Sequence, residues 1–228
     1  MPELAPLLDR LVGQLDRPEA EPLLTMAAIR PFFSGCTQTG SAGRLLRNYD
    51  FPPDDCEGTI ARSHFLRPVL GMQEAGWGLL DGMNDAGLVV SLTYGGREVH
   101  GPGFAIPVVL RCLLETCETV PEAVERLRQI PVMIPQNVTL VDAEQAVTVY
   151  VGPDTELTKA PDACAANHQY LPVSDEQERD SGRRNGWPRS GGPARTWRRC
   201  CVPPSTSRGT ATAGARCTRR TTGQGRSG

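Results

Sequence analysis

The strongest candidate nucleophile is Cys36. It follows Gly35 in Phe32-Phe33-Ser34-Gly35-Cys36-Thr37-Gln38 and stands eleven positions before Arg47-Asn48-Tyr49-Asp50. A cation beside a thiol lowers its pKa, so the spacing raises the question of whether Cys36 is one more buried thiol or an activated one. Without Cys36 upstream, Arg47 and Asp50 would read as an exposed strand ion pair worth under about 1 kcal/mol, and Cys36 as one more buried thiol. His168 is the rival base, because Cys/His dyads are common and the chain has only three histidines, His64, His100 and His168. The Cys-Gly-Ser-Cys-Trp context of papain-like enzymes is absent, so His168 reads as a packing histidine. The remaining cysteines (56, 112, 117, 164, 200, 201 and 217) form no CxxC pair and show no Cys/His metal spacing. We therefore expect reduced thiols, no metal site and no cofactor. Cys112 and Cys117, five apart on a helix, read as small buried apolar residues.

These residues need elements to position them. Leu4, Leu7, Leu8, Leu11, Val12 and Leu15 mark one stripe of a helix over residues 3–16, with Pro18 as its stop. The Gly40-Ser41-Ala42-Gly43 turn between Cys36 and the run Leu45–Phe51 predicts a hairpin that places Cys36 at or near a strand start. "WGLLDGMNDAGLVVSLTYGG" reads as two strands joined by a turn over Asp81–Gly87. Period-two counting puts Val89, Ser91 and Thr93 on one face and Leu88, Val90, Leu92 and Tyr94 on the other. Asn84 and Gly87 are turn-formers there. "FAIPVVLRCLLETCETVPEAVERLRQI" predicts two helices broken near Thr119-Val120-Pro121, with Thr119 as cap. "NVTLVDAEQAVTVYVGP" predicts another hairpin, and "DACAANHQY" a final strand. Strand pairs around central helices predict an α+β layered sandwich.

At 228 residues the chain has room for one substantial domain. The N-terminus carries acids early and no long apolar run, which predicts neither a secretory signal nor a membrane span, and a cytoplasmic location. The formal charge of −2 hides an asymmetry: residues 181–228 hold eleven of the 24 basic residues and none of the 26 acids. With Val202 as their one aliphatic residue they are expected to be disordered. Two readings of this tail compete, a phosphate-binding arm for nucleic acid and the out-of-frame translation of a GC-rich gene. The composition of Arg, Gly, Pro, Ala, Thr, Ser, Cys and Trp favours the second, so no nucleic-acid partner is expected. The oligomeric state is left open, a homo-oligomer included.

Five pieces, "GCTQ", "GRLLRNYDF", "DGMNDAGLVVSLTY", "NVTLVDA" and "AANH", occur in an order that resembles the cysteine N-terminal-nucleophile hydrolases. That family (peptidase C45-type members included) comprises choloylglycine hydrolase, penicillin V acylase and the fungal isopenicillin N acyltransferases. The resemblance spans roughly residues 36–170 and implies an αββα layered sandwich. It further implies autocleavage between Gly35 and Cys36, so that residues 1–35 are a propeptide, residues 36–180 an incomplete catalytic core and residues 181–228 a tail. The new α-amine of Cys36 would activate its own thiol; an amine near pKa 7.7–8.0 is matched to a thiol near about 8.5, whereas an amide nitrogen has no basicity. Arg47 would stabilise the thiolate and contact the acyl carbonyl, Asp50 would hold the α-ammonium, and Asn167 would donate to the oxyanion. Three residues apart on a flat strand means opposite faces, so the strand must bulge or end near Asn48 for Arg47 and Asp50 both to reach Cys36. Thr93 stands where bile salt hydrolases carry an asparagine, and its hydroxyl or a neighbouring backbone N–H would replace that second oxyanion donor. Ser181 and Arg184 faintly match a downstream Ser-x-x-Arg of the family.

The implied activity is hydrolysis or transfer at a linear amide of a small molecule through a thioester on Cys36. Bile-salt conjugates, acyl-homoserine lactones, penicillins and peptidoglycan-like amides remain as substrates. The alternative is a catalytically inactive, truncated remnant of such an enzyme.

Overall fold

The structure, a computed structural model, describes residues 1–25, 35–50 and 56–169, except for the side chains of Gly35 and Asp50. The expected disorder of residues 181–228 and the Ser181/Arg184 match lie outside the described residues.

Apolar residues at alternate positions build a seven-stranded antiparallel sheet. Its strands follow one another in space as in sequence: β3 (Ile60–His64), β4 (Pro68–Glu74), β5 (Gly78–Asn84), β6 (Val89–Tyr94), β7 (Gln136–Val141), β8 (Ala146–Gly152) and β9 (Thr155–Lys159). Val90, Leu92, Val138, Leu140, Val149 and Val151 belong to the main hydrophobic cluster on one face. They pack under α3 (Ile106–Thr116) and α4 (Val120–Gln129), the two helices inserted between β6 and β7. Each such side chain, once buried, contributes about 1.5–3 kcal/mol. The helices break as the sequence predicts: Thr119 caps α4, its hydroxyl accepting from Glu122 N at 3.4 Å, and Pro121 lies in the first turn.

The opposite face of the same strands is polar yet buried. Registered pairs link Asp81 to Ser91, Ser91 to Thr139 and Thr139 to Thr148, and in the next row Thr93 to Asn137. Residues of this kind are covered without cost only where they bond one another or a facing layer. The facing layer is a three-stranded sheet of β10 (Cys164–Ala165), β1 (Gly35–Ser41) and β2 (Arg44–Asp50), in the order β10-β1-β2. β1 lies against β6, β7 and β8. The approach is close: a Cβ added to Gly40 would stand 2.9 Å from Val141 Cγ2. The layers thus run helices, large sheet, small sheet, an α+β sandwich as expected.

The lead-in helix is present as a 3₁₀ turn (Pro2–Leu4) and α1 (Ala5–Leu15), followed by α2 (Ala20–Thr25). Leu4, Leu7 and Leu24 are buried in the main cluster, Trp77 Nε1 donates to Leu24 O at 2.6 Å, and Arg126 pairs with Glu3. Among the described residues no helix is long and apolar enough to cross a membrane.

Three expectations are corrected. The turn read over Asp81–Gly87 is shorter, since β5 continues to Asn84; Asn84 Oδ1 then accepts from Ala86 N and Leu88 N, while its Nδ2 donates to Leu114 O and Cys117 O. β3, β4 and β9 went unread, because half-exposed strands such as "IARSH" and "TELTK" carry little apolar alternation. Cys36, Cys56, Cys112 and Cys117 are thiols as expected, whereas Cys164 is disulfide-bonded.

Candidate functional site

Cys36, Gln38 and Gly40 alternate along β1, so all three face the large sheet. Cys36 is buried, with 2% of its surface exposed. On one side it pairs with Tyr49 of β2. On the other, β1 pairs with β10 as Gln38↔Ala165 and Thr39↔Cys164, and Asn167 follows two residues after the end of β10. The nucleophile candidate therefore sits in the interface of the two sheets, beside Tyr49.

Arg47 pairs with Gln38 and so turns toward the same interface. Its Nη1 donates to Asp81 Oδ2 at 2.7 Å and to Leu80 O at 3.1 Å, and its guanidinium lies 4.6 Å from the centre of the Tyr49 ring. Burial, then the charges of Glu74, Cys56 and Cys36, push the Tyr49 phenol above its ordinary range, so it stays neutral. β1 and β2 pair without a register shift from Gly35↔Asp50 to Ser41↔Arg44. No bulge brings Arg47 and Asp50 to one face; instead β2 ends at Asp50, whose backbone pairs with Gly35, next to the Gly35–Cys36 peptide.

Thr93 is fully buried, and its hydroxyl proton goes to Ala166 O at 3.0 Å. Beside it Asn137, also fully buried, points its amide nitrogen at Thr93 Oγ1 (3.0 Å), Ala166 O (2.7 Å), His168 O (3.1 Å) and Tyr94 O (3.2 Å). The carbonyls flanking Asn167 are thus gripped by one side chain. Gly96, at φ +74°, closes the other side: a Cβ there would fall 2.4 Å from Asn167 O. Arg97 completes the frame. It forms a bidentate pair with Asp154 (2.5 and 2.9 Å) and donates from Nε to Gln169 Oε1 at 3.1 Å, while Gln169 Nε2 donates to Gln136 O and Val151 O. The Arg97 hydrogen bonds hold the Asp154 carboxyl below its ordinary range.

Of the expected site residues, Cys36, Arg47, Thr93 and Asn167 are gathered at this interface, and Asp50 adjoins it by its backbone. His168 contributes its buried backbone, its carbonyl accepting from Asn137 and its N–H donating to Ala166 O. Arg184 lies outside the described residues. Among the described residues no group of three His, Cys, Asp or Glu side chains is placed to hold a metal. Sequence reading assigned no part to Gln38, Asp81, Gly96, Arg97 or Asn137. The signal for Asn137 was available, because it opens the quoted "NVTLVDA" strand at the parity that also carries Thr139. An acid inside the apolar strand "GLLDGMN" was the equivalent signal for Asp81. A groove of about 640 Å³ between the end of α4 and the β8–β9 hairpin takes in none of Cys36, Arg47, Thr93 and Asn167.

Residues 37–185, roughly two-thirds of the chain, match the family described as acyl-coenzyme A:6-aminopenicillanic acid acyl-transferase. The chain belongs to that family. The match begins one residue after Cys36, and the acyl-transferase family stands with the N-terminal-nucleophile group that the motifs resemble. Penicillin V acylase from Agrobacterium tumefaciens is a solved structure similar to this one, with 18% sequence identity over 56% of this chain and 41% of that chain, at a TM-score of 0.33. A variant of conjugated bile acid hydrolase from Clostridium perfringens matches with 14% identity over 68% of this chain and 51% of its own, at a TM-score of 0.35. The chain therefore spans about half the length of the solved structures it matches. No curated protein matches it significantly.

Proposed function

We propose that the chain is the precursor of an N-terminal-nucleophile cysteine amidase or acyltransferase, with residues 1–35 as propeptide. The observation that carries this reading is the inward-facing, buried Cys36, with Arg47 on the same face of the small sheet and the buried Asn167 two residues beyond β10, the strand paired with β1. In the maturation step the Cys36 thiolate attacks the Gly35 carbonyl carbon, the peptide bond shifts from nitrogen to sulfur, and water hydrolyses the thioester. This leaves a free α-amine at the place where β2 ends at Asp50, whose carboxylate holds it.

In turnover the α-amine takes the thiol proton and Sγ attacks the acyl carbon of the substrate amide. Negative charge gathers on the carbonyl oxygen, where the Asn167 side-chain N–H is the donor; losing such a donor costs on the order of 10²–10³ in rate. The intermediate collapses as the α-ammonium returns its proton to the leaving nitrogen. Water or an acceptor amine then takes the acyl group from sulfur. Thr93 acts in this scheme through the Ala166 carbonyl beside Asn167, and Arg47 through its charge near the thiolate. Arg184 is reserved as a further polar contact, the compartment is the cytoplasm, and the substrate is a small amide.

Mass spectrometry under denaturing conditions on freshly purified protein, beside a Cys36→Ala control, tests this. Denaturation matters because Leu4, Leu7 and Leu24 are buried in the main cluster and would hold a cut segment in place. Loss of residues 1–35 in the parent alone supports the reading. An uncut parent would overturn it and leave an inactive remnant of the family as the account of this chain.

A further inference from the structure

The small sheet covers only part of the large one. β1 lies against β6, β7 and β8, and β10 against β7 and β8, while β2 reaches β5 through the Arg47–Asp81 pair. The same face of the large sheet continues outward over β5, β4 and β3. Met83 has the parity of Asp81 on β5, Leu70 is registered with Met83, Arg62 is registered with Leu70, and Ile60 lies two residues back along β3. The alternate positions turn the other way, toward α3: a Cβ on Gly82 would stand 3.0 Å from Leu114 Cδ1. Ile60, Leu70 and Met83 therefore extend the face that elsewhere is buried between the sheets, yet they are 72%, 45% and 46% exposed. A continuous apolar face of this kind, rimmed by charged residues, marks an interaction surface.

Residues 181–228 are poorly suited to cover it, with Val202 as their one aliphatic residue. A second copy cannot do so by adding its β2 to this β2, because its own seven-stranded sheet would then need the layer that β5, β4 and β3 already fill. Turned over, the second copy fits. A two-fold axis lying between the layers and parallel to the strands sets β4 against β4 and exchanges β3 with β5. The bare strands of each copy then fill the layer that the small sheet leaves uncovered in the other. The same operation brings β3, the edge of the large sheet, beside β2, the edge of the small sheet of the second copy, so that two open edges are covered together.

The side chains match under this operation. Leu70 meets Leu70 of the second copy on the axis. The residue rows stay level, so Met83 faces Arg62 of the second copy and Asp81 faces its Ile60. One row on, His64 is registered with Pro68, whose carbonyl accepts from Asp85 N, so His64 faces Asp85 of the second copy. On this face β3 carries the basic Arg62 and His64, whereas β5 and the residues after it carry Asp81 and Asp85. Exchanging β3 for β5 sets basic side chains against carboxylates at both ends of an apolar centre, as a self-complementary interface requires.

We propose that this face is the interface of a symmetric dimer, in which a second copy of the chain closes the sandwich over β3, β4 and β5. The proposal concerns assembly and stands or falls whether or not Cys36 is processed.

Sedimentation equilibrium on the full chain at micromolar concentrations tests it, beside Leu70→Glu. The parent should show the mass of two chains at about 50 μM, and Leu70→Glu, which sets two carboxylates against each other on the axis, should raise the dimer dissociation constant about 100-fold or more. Because Leu70 is exposed in a single chain, the variant should keep the near-UV circular dichroism of the parent. Should it fail to fold, cross-linking decides. Leu70→Cys should be joined into a covalent dimer by a short bis-maleimide well beyond the parent background, whereas Ile60→Cys should not, since the axis holds the two β3 strands two strand spacings apart. A parent that is monomeric at about 50 μM, a dimer unaffected by Leu70→Glu, or equal cross-linking of the two cysteine variants would overturn the interface.

Discussion

Replacing Asn137 tests the frame around Asn167 without requiring any catalytic activity. An amide nitrogen carries two protons, and that of Asn137 lies within 3.2 Å of four acceptors. Ala166 O keeps two other donors, Thr93 Oγ1 and His168 N, so the load of a truncation falls on His168 O and Tyr94 O. Each buried hydrogen bond lost to these two carbonyls costs about 1–3 kcal/mol. Against this, Asn137 Oδ1 is buried with no hydrogen-bond partner, and Asn137→Ala removes that liability of similar size. The net loss for Asn137→Ala is therefore about 1–3 kcal/mol, or about 2–12 °C in melting temperature for a domain of this length.

Asn137→Asp is nearly isosteric and should be worse. It supplies no proton at neutral pH and sets a carboxylate against oxygens 2.7–3.1 Å away, and an uncompensated buried charge costs about 3–5 kcal/mol. Such a carboxyl would bind its proton more tightly folded than unfolded, so the variant should gain stability as the pH falls toward the unfolded carboxylate pKa of about 3.9, while Asn137→Ala should not. Thermal melts of both variants between pH 7 and pH 4 decide the matter. An Asp variant that melts at or above the Ala variant at pH 7 would refute the assignment of the amide nitrogen to these carbonyls.

Gly96→Ala should lower the melting temperature and reduce amide protection at residues 166–169 in hydrogen exchange. The left-handed backbone alone costs about 1–2 kcal/mol and the new Cβ displaces the Asn167 carbonyl; unchanged protection would contradict the close approach. Asp154, its carboxyl held low chiefly by the Arg97 hydrogen bond, stabilises the fold above the unfolded carboxylate range, and this is lost as the pH falls through the folded value. Melts from pH 6 to pH 3 should show the gap between the parent and Arg97→Met narrowing on the acid side. Burial pushes the Cys112 thiol up to about 11, so native protein at pH 8 should leave Cys112 unalkylated by iodoacetamide until it is unfolded, as read by peptide mapping.

What could be read from the sequence and what could not divide along one physical line, the range of the interactions involved. The helix break at Thr119 and the two faces of Val89–Tyr94 depend on neighbours a few residues away, and both stand as expected. The polar face of Ser91 and Thr93 was legible, but not its meaning: alternation that ordinarily separates water from core here separates a helix-covered core from a second sheet. Burying that face requires partners more than 30 residues distant, and these are the residues that went unread, Asn137 for Thr93 and Asp81 for Arg47. Local pattern also left open how Arg47 and Asp50 could both serve Cys36. The pairing resolves it without a bulge: Arg47 turns into the interface with the thiol, and Asp50 meets the backbone where a cut before Cys36 would create the amine. In the proposed precursor that pairing gives the spacing from Cys36 to Asp50 its reason: a cut before Cys36 would free an amine at the backbone position that the Gly35↔Asp50 pair sets beside the end of β2.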